Sequence, residues 1–233
     1  MGAQPISPGT VVSQIWEIYR DQFRVLFGTA VVLYALQFVI YLLLPATLGI
    51  VLVLLFWALS ILYQGMVVEL VQDVQDGRRD HSVGQLLRSV EPVFWPLVAV
   101  SILFGIGVGI GFVLVIVPGL ILLVIWSVVA PVMVLERPGV FDAFRRSREI
   151  VRGNGWNVFG VIVMVFVIVF LVSIAVGLAA SGLGSVGHAL VQWAVDSAIA
   201  PVTALSASVL YFALSRTNTE PPPAYSPPVM PQV

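Results

Sequence analysis

Cysteine and lysine are both absent from this 233-residue chain, and charged residues of any kind are few. Without cysteine the chain can form no disulfide and offers neither a thiolate metal ligand nor a cysteine nucleophile. Charged residues make up 10% of the sequence, against roughly 25% in soluble domains, and hydrophobic residues make up 59%. This composition excludes a soluble globular core, and nothing in it suggests a nucleic-acid partner.

Long uncharged runs alternate with short charged segments along the chain. Residues 25–68, 92–135 and 153–195 contain no Asp, Glu, Lys or Arg, and the third run resumes after Asp196 and continues to 215. A helix that crosses a bilayer needs about 20 apolar residues, so each run has room for two. We therefore predict an all-α polytopic membrane protein with six transmembrane helices in three hairpins. Their predicted ranges are 25–44, 47–68, 93–111, a fourth helix starting near Val113 or at Pro118, 156–180 and 191–214.

Proline and glycine mark the predicted reversals within these runs. Pro45 has no amide hydrogen and lies where the first hairpin is predicted to turn. Residues 181–187 are the predicted turn of the last hairpin. Pro118-Gly119 is either the turn of the middle hairpin or a kink in its second helix. Pro131 and Pro201 lie inside predicted spans, where they predict kinks.

A short amphipathic segment precedes each pair of predicted spans. At helical periodicity, residues 140–152 separate into a charged side and an apolar side. The apolar side comprises Val140, Ala143, Phe144, Ser147, Ile150 and Val151. Residues 11–24 separate similarly, with Val11, Ile15, Ile18, Tyr19 and Phe23 on the apolar side. The shorter segment 82–90 begins with the capping-box pair Ser82 and Gln85. All three segments predict interfacial helices.

With six spans, all eleven basic residues, every one an arginine, fall on a single side of the membrane. They occur in residues 1–24, in the second and fourth connections, and at 216. An arginine at the bilayer centre costs about 2.5–3.5 kcal/mol, and the positive-inside rule assigns the arginine side to the cytoplasm. We predict a multi-pass protein of the plasma or inner membrane with both termini cytoplasmic and no cleaved signal peptide. Its parts are a cytoplasmic segment 1–24, a membrane domain 25–215 and a disordered proline-rich tail 216–233.

The densest basic cluster is Arg145, Arg146, Arg148 and Arg152, on the charged side of the third amphipathic segment. Guanidinium groups suit bidentate contact with phosphate, so these residues are candidate contacts for anionic lipid headgroups. The alternative is that they only fix the topology while their side chains reach to the interface. The expected partners are the lipid bilayer, with its anionic phospholipids, and a membrane-protein partner or a second copy of the chain.

Asp196 is the only acid inside a predicted span, and ionisable residues within membranes are candidates for function. Gln192 lies one helical turn away, close enough to hydrogen-bond it. The pair is either an intramembrane polar site for an ion or proton, or a structural hydrogen bond near the outer headgroups.

Glycines recur at every second position in the third predicted span, at Gly105, Gly107, Gly109 and Gly111. They form two overlapping G-x-x-x-G pairs, which allow close helix contact. Together with Pro118 and Gly119, they are predicted to mediate helix packing, within the chain or in a dimer. A hinge or gate is the alternative.

Asp73 and Asp76 open the segment D-V-Q-D-G-R-R-D at 73–80, which partly resembles the start of the CDP-alcohol phosphotransferase motif. That motif continues with two further aspartates four residues apart, whereas the next acid after Asp80 here is Glu91. Two carboxylates leave a two-metal site incomplete. The segment is therefore predicted to be a solvated turn at a helix end, with a lipid-modifying enzyme as the alternative. No cofactor or metal is expected.

Residues 117–159 resemble the membrane domain of the glycerophosphoryl diester phosphodiesterase family and related six-span bacterial membrane proteins. The similar residues are Pro118-Gly119, Pro131, Glu136, Ala143, Arg146-Ser147 and Gly153-Asn154 before Trp156. The family takes its name from members fused to a phosphodiesterase domain, a TIM barrel with a His-Arg-Gly motif, and the membrane part alone has no established chemistry. Here neither His81 nor His188 is followed by arginine. The resemblance thus implies the membrane architecture without the enzyme activity.

The sequence as a whole predicts a non-enzymatic membrane protein that acts as a scaffold, adaptor or lipid-associated accessory factor. The first alternative is a small-solute or ion transporter or channel that uses Asp196 and the proline kinks. The second is the lipid-modifying enzyme.

Overall fold

The computed structural model describes residues 7–43, 49–76 and 83–219, and every regular element within these ranges is a helix. In chain order the α-helices are α1 Pro8–Asp21, α2 Phe23–Leu43, α3 Gly49–Gln75, α4 Val83–Val90, α5 Phe94–Leu114, α6 Ile116–Ile125, α7 Val129–Leu135, α8 Val140–Val151, α9 Gly155–Ala180 and α10 Ser185–Thr219. A 3₁₀ turn, Glu91–Val93, joins α4 to α5. The predicted all-α class is confirmed.

Five segments of the described chain are long and apolar enough to cross a membrane. They are Val53–Gln75, Arg88–Leu114, Ile116–Leu135, Gly155–Ala180 and Leu190–Thr217. A shorter apolar stretch of α2, Phe23–Leu36, overlaps the first predicted span, 25–44. These helices agree with the prediction of a multi-pass membrane protein. The turn predicted at Pro45 lies outside the described residues.

Two of the long helices extend beyond their predicted ends. The helix predicted to end at residue 68 continues to Gln75, which brings Glu69 and Asp73 into α3. The helix predicted over 191–214 is α10, which runs from Ser185 to Thr219. Residues 185–187 of the predicted turn and residues 216–219 of the predicted tail are therefore helical. Hydropathy shows where a helix can cross the membrane, but polar residues can continue the same helix beyond it because its backbone hydrogen bonds are internal. Residues 220–233 lie outside the described part of the chain.

The reversal between α5 and α6 occurs at Val115, whose backbone is extended, with φ −163° and ψ 147°. Helix α6 begins at Ile116, between the two predicted starts, near Val113 and at Pro118. Pro118 and Gly119 lie in the first turn of α6. Proline is tolerated there because the first amides of a helix have no carbonyl partner within it.

The crossing that contains α6 and α7 is interrupted between them. The amide of Val129 bonds to the carbonyl of Trp126 at 3.1 Å. In a continuous α-helix it would bond to the carbonyl of Ile125 instead. Pro131 follows in the first turn of α7 and has no amide hydrogen of its own. The kink predicted at Pro131 is therefore a break just ahead of it. Pro201, by contrast, lies inside α10, which is assigned as one helix.

All three predicted amphipathic segments form helices, namely α1, α4 and α8. The buried residues of α8 belong to the predicted apolar side: Ala143, Ser147, Ile150 and Val151. The first segment is shorter than predicted, because α1 ends at Asp21 while Phe23 and Arg24 begin α2. Ser82, one half of the predicted capping box, lies outside the described residues.

Helix α10 is the central element of the bundle. It packs against α1, α2, α3 and α9 and also contacts α7 and α8. Leu210 and Leu214 of α10 belong to one buried apolar cluster with Met66 of α3 and Met133 of α7. Residues 113–117, around the α5–α6 reversal, are exposed instead. The tightly packed part of the bundle thus lies toward the helix ends next to the charged segments.

Candidate functional site

Glu136, the residue after α7, connects α8 and α10. Its Oε2 accepts a hydrogen bond from Nε of Arg146 at 2.9 Å, and its Oε1 accepts one from the Tyr211 hydroxyl at 2.9 Å. The side chains of Glu136 and Arg146 are 29% and 48% exposed, which places this ion pair at the surface of the bundle. The hydrogen bond to Glu136 raises the pKa of the Arg146 guanidinium above its usual value, so this arginine stays charged.

Two further arginines connect distant segments at the same end of the molecule. Nη2 of Arg137 lies 3.9 Å from Oε1 of Glu69 and donates to the carbonyl of Ser89 at 3.5 Å. Arg216 donates to the side-chain oxygen of Gln75. These contacts bring together the end of α3, the segment after α7 and the end of α10. We call this part of the bundle, with the neighbouring α8, the arginine-bearing end.

Helix α1 also reaches this end. Its polar residues Glu17 and Asp21 line a cleft of about 250 Å³ together with Gln75 of α3. The hydroxyl of Tyr19 donates to the carbonyl of Ala198 in α10 at 3.4 Å, and partial burial raises the pKa of Tyr19. The N-terminal helix is therefore attached to α10 and borders a cleft with α3.

Ser147 satisfies a backbone carbonyl left without its usual partner by the break between α6 and α7. Its hydroxyl donates to the carbonyl of Ile125 at 2.9 Å, and the residue is 0% exposed. An unpaired carbonyl at a buried position costs free energy comparable to a lost hydrogen bond. The apolar side of α8 thus carries one polar group that matches the broken crossing.

The four arginines of the predicted headgroup cluster divide into two pairs. Arg145 lies 3.1 Å from the carboxylate of Asp142, and Arg146 is held by the carboxylate described above. Arg148 and Arg152 are exposed, and neither forms an ion pair with another residue in the described ranges. Only the second pair therefore has guanidinium groups without a carboxylate partner in this part of the structure.

Large aromatic side chains are exposed beside the charged segments. Trp95 follows the 3₁₀ turn near the start of α5, Trp156 lies in the first turn of α9, and Phe141 lies in the first turn of α8. Trp16 is exposed on α1. Tryptophan is enriched where membrane meets water because its ring is apolar and its N–H is polar. Exposed aromatic side chains beside charged segments are typical of interfacial anchors.

An apolar groove of about 600 Å³ opens between α6 and α9. It is lined from α6 by Val117, Ile121 and Val124, and from α9 by Gly155, Trp156 and Phe159. Gly153, in the turn that joins α8 to α9, also borders it. We call this feature the α6–α9 groove, and the sequence offered no signal for it because α6 and α9 belong to different predicted hairpins.

The predicted pair of Gln192 and Asp196 makes the expected contact. Nε2 of Gln192 donates to Oδ1 of Asp196 at 3.0 Å. The Asp196 side chain is half-buried and interacts electrostatically with Tyr34 of α2. Tyr34 was not identified from the sequence, since no spacing rule relates α2 to α10.

The predicted packing residues behave differently from one another. A Cβ atom added to Gly111 would lie 2.8 Å from Cα of Gly119, so these two glycines mark a close approach of α5 and α6. A Cβ atom on Gly107 would lie 2.5 Å from the ring of Trp126. A Cβ atom added to Gly105 or to Gly109 would have no atom within 4 Å apart from the backbone of its own helix. Of the two G-x-x-x-G pairs, only the one formed by Gly107 and Gly111 faces neighbouring atoms.

The acidic segment that partly resembles a phosphotransferase motif is only partly described. Asp73 lies near the end of α3 and Asp76 directly follows that helix, whereas residues 77–82 are outside the described ranges. Within those ranges no group of three or more His, Asp or Glu residues is placed to hold a metal ion.

The polar contacts at the arginine-bearing end, the α6–α9 groove and the Asp196 pair are the candidate sites of this fold. The arginine-bearing end and the α6–α9 groove each combine residues from several helices, so no single linear motif carries either of them, whereas Gln192 and Asp196 lie one turn apart on α10. A scan against protein-family models and searches of curated proteins and of solved structures found no match to the chain.

Proposed function

We propose that this chain is a non-enzymatic multi-pass membrane protein that acts as a scaffold or lipid-associated accessory factor through its arginine-bearing end. The proposed threading has six spans in three hairpins, with both termini and all arginines on the cytoplasmic side of the plasma or inner membrane. Membership of the phosphodiesterase membrane-domain family is part of the same proposal and rests on the residues between 117 and 159.

The observation that carries the proposal is the way polar contacts connect the segments at the arginine-bearing end. Glu136 joins α8 to α10, Arg137 joins the α7–α8 connection to α3, and Arg216 joins α10 to α3. Surface ion pairs contribute little to stability individually. Together, these ion pairs and hydrogen bonds hold four segments in one arrangement, with exposed aromatic residues beside them. Such an arrangement suits a surface that presents a fixed shape to lipid or protein.

The direct experiment is purification of the full chain from native membrane, followed by mass spectrometry of the lipids and proteins that accompany it. We expect a defined lipid class or a stoichiometric protein partner, and no turnover of phospholipids or nucleotide-activated lipids. Turnover of such a substrate that is lost in Asp73→Ala with Asp76→Ala would overturn the proposal in favour of a lipid-modifying enzyme. A matched control is Glu91→Ala, the next acid along the chain.

A second candidate function is ion or solute transport, favoured by the half-buried Asp196, its hydrogen bond from Gln192 and its electrostatic interaction with Tyr34. Asp196→Asn is the informative change, because the asparagine side-chain oxygen can still accept the hydrogen bond from Gln192. Substrate-dependent flux into liposomes that disappears in this variant would favour transport. The scaffold proposal instead expects no flux from either protein.

A further inference from the structure

We propose that the α6–α9 groove binds one acyl chain of an anionic glycerophospholipid, whose phosphate is held by Arg148 and Arg152. This inference rests on the membrane threading given under the proposed function and names the ligand class and the site.

The groove has the shape and chemistry of an acyl-chain site. Its volume is about 600 Å³, and all of its lining side chains are aliphatic or aromatic. An apolar groove of this kind offers ordered water almost no hydrogen-bond partner, whereas an acyl chain needs none. From Val117 to Ile125 the α6 wall is about 12 Å long at the rise of an α-helix. That length is close to one leaflet of hydrocarbon, about 15 Å or half of the bilayer core.

Arg148 and Arg152, which form no ion pair within the described residues, belong to the segment that leads directly into this groove. Arg152 immediately precedes Gly153, which borders the groove, and Arg148 lies one helical turn earlier in α8. Arg152 directly follows α8, and its amide bonds to the carbonyl of Arg148 at 3.1 Å. The two side chains therefore leave the chain one turn apart, close enough for both guanidinium groups to reach one phosphate. Arginine forms bidentate hydrogen bonds with phosphate and is the side chain best suited to it.

The turn between α8 and α9 fixes the position of this pair relative to the groove. Gly153 has φ +88°, a left-handed conformation that other residues adopt only with strain. The amide of Asn154 bonds to the carbonyl of Val151 at 3.0 Å. Ser147, one residue before Arg148, bonds to the carbonyl of Ile125 at the end of α6. Helix α8, with its arginines, is thus attached to both walls of the groove.

The order of these groups matches a phospholipid of the arginine-side leaflet. From the arginine-bearing end inward the site presents two guanidinium groups, then Trp156, which is 86% exposed, then the aliphatic wall of α6. A soluble anion would use only the arginines. An apolar helix of another protein would fill the groove and leave the two arginines unpaired. An anionic lipid pairs with the two arginines through its phosphate and fills the groove with an acyl chain. Acyl chains of a bilayer already lie parallel to the spans.

The test uses the full chain reconstituted in nanodiscs of equimolar phosphatidylglycerol and phosphatidylcholine, transferred to mild detergent and examined by native mass spectrometry. We expect selective retention of phosphatidylglycerol. The double variant Arg148→Gln with Arg152→Gln should lower the affinity for phosphatidylglycerol about 30-fold, since each arginine near a membrane surface raises the affinity for an anionic lipid about fivefold. The matched control, Arg20→Gln with Arg24→Gln, removes two exposed arginines of α1 and α2 and should leave retention unchanged.

A second pair of variants tests the acyl-chain part. Ile121→Trp fills the groove without changing charge and should abolish retention, whereas Ile168→Trp, on an exposed position of α9 outside the groove, should not.

Equal weakening by both arginine pairs would show general electrostatic attraction and overturn the site. Retention that persists in Ile121→Trp would overturn the groove as the tail site. A photocrosslinker at Phe159 that captures a protein instead of lipid in native membrane would also overturn the inference.

These outcomes are distinguishable from those of the proposed function. Loss of the lipid site leaves a scaffold role through the other residues of the arginine-bearing end intact. Turnover of a phospholipid substrate would remove the non-enzymatic role while the arginine pair and the groove still bound lipid.

Discussion

At the scale of single residues, a few polar side chains determine how the apolar helices meet. Ser147 is fully buried on the apolar side of an amphipathic helix, where a hydroxyl is unexpected. Its hydrogen bond to the Ile125 carbonyl explains its position, because the break after α6 removes the usual backbone donor. Helical periodicity placed Ser147 on this side correctly but could not identify the partner, which lies in a different segment.

Ser147→Ala is predicted to lower the free energy of unfolding by about 1–3 kcal/mol, the cost of leaving a buried carbonyl without a donor. The measurement is denaturant unfolding in mixed micelles, followed by tryptophan fluorescence. Ser13→Ala is the control, because the Ser13 hydroxyl is exposed and bonds only to the Thr10 carbonyl within α1. A loss no larger than that of the control would contradict the assigned role of Ser147.

Glu136→Ala is predicted to lower the free energy of unfolding by about 1–2 kcal/mol, since Arg146 and Tyr211 lose a shared acceptor that is only partly exposed. Glu149→Ala is the matched control: Glu149 is more exposed and lies 3.7 Å from Arg146. It should change stability by less than about 0.5 kcal/mol. The same unfolding titration compares the two variants. Equal effects would mean that Glu136 does not connect α8 to α10.

At the scale of elements, the sequence predicted helix positions better than helix contacts. The amphipathic pattern of 140–152 placed α8 and its buried side, because charge and hydropathy alternate there with helical periodicity. The position of the break between α6 and α7 was not predicted, because residues 126–128 carry no charge and contain neither glycine nor proline. Only Pro131 indicated an irregularity, and its missing amide acts on the preceding turn.

The glycines of α5 give a prediction at this scale, since their spacing alone could not separate contacting from open positions. Gly111→Ala is predicted to reduce stability by about 1–3 kcal/mol, because its new methyl group meets the backbone of Gly119, which cannot rotate away. Gly109→Ala should stabilise the protein by about 0.5–1 kcal/mol, because its position is open and alanine favours helix. Thermal unfolding of the two purified variants in the same detergent is the measurement. Similar shifts in melting temperature for both would contradict the α5–α6 contact.

At the scale of the whole molecule, the absence of charge from long runs was enough to predict an all-helical protein with several membrane-capable helices. The candidate sites were less accessible. Asp196 and Gln192 were found because they lie on one helix, one turn apart. Glu136 and Tyr211 are 75 residues apart, and no local pattern relates them. The α6–α9 groove likewise depends on how two hairpins pack, which hydropathy does not specify.

The proposed threading, and the function inferred from it, depend on the placement of every arginine on one side of the membrane. Because the chain contains no cysteine, single-cysteine variants can be labelled without background. The decisive measurement compares Ser13→Cys in α1, Asp142→Cys in α8 and Gly182→Cys between α9 and α10, using a membrane-impermeant maleimide on intact and permeabilised cells. We predict that Ser13→Cys and Asp142→Cys react only after permeabilisation, while Gly182→Cys reacts in intact cells. Reaction of Ser13→Cys and Asp142→Cys from opposite sides would contradict the six-span threading and the function proposed from it.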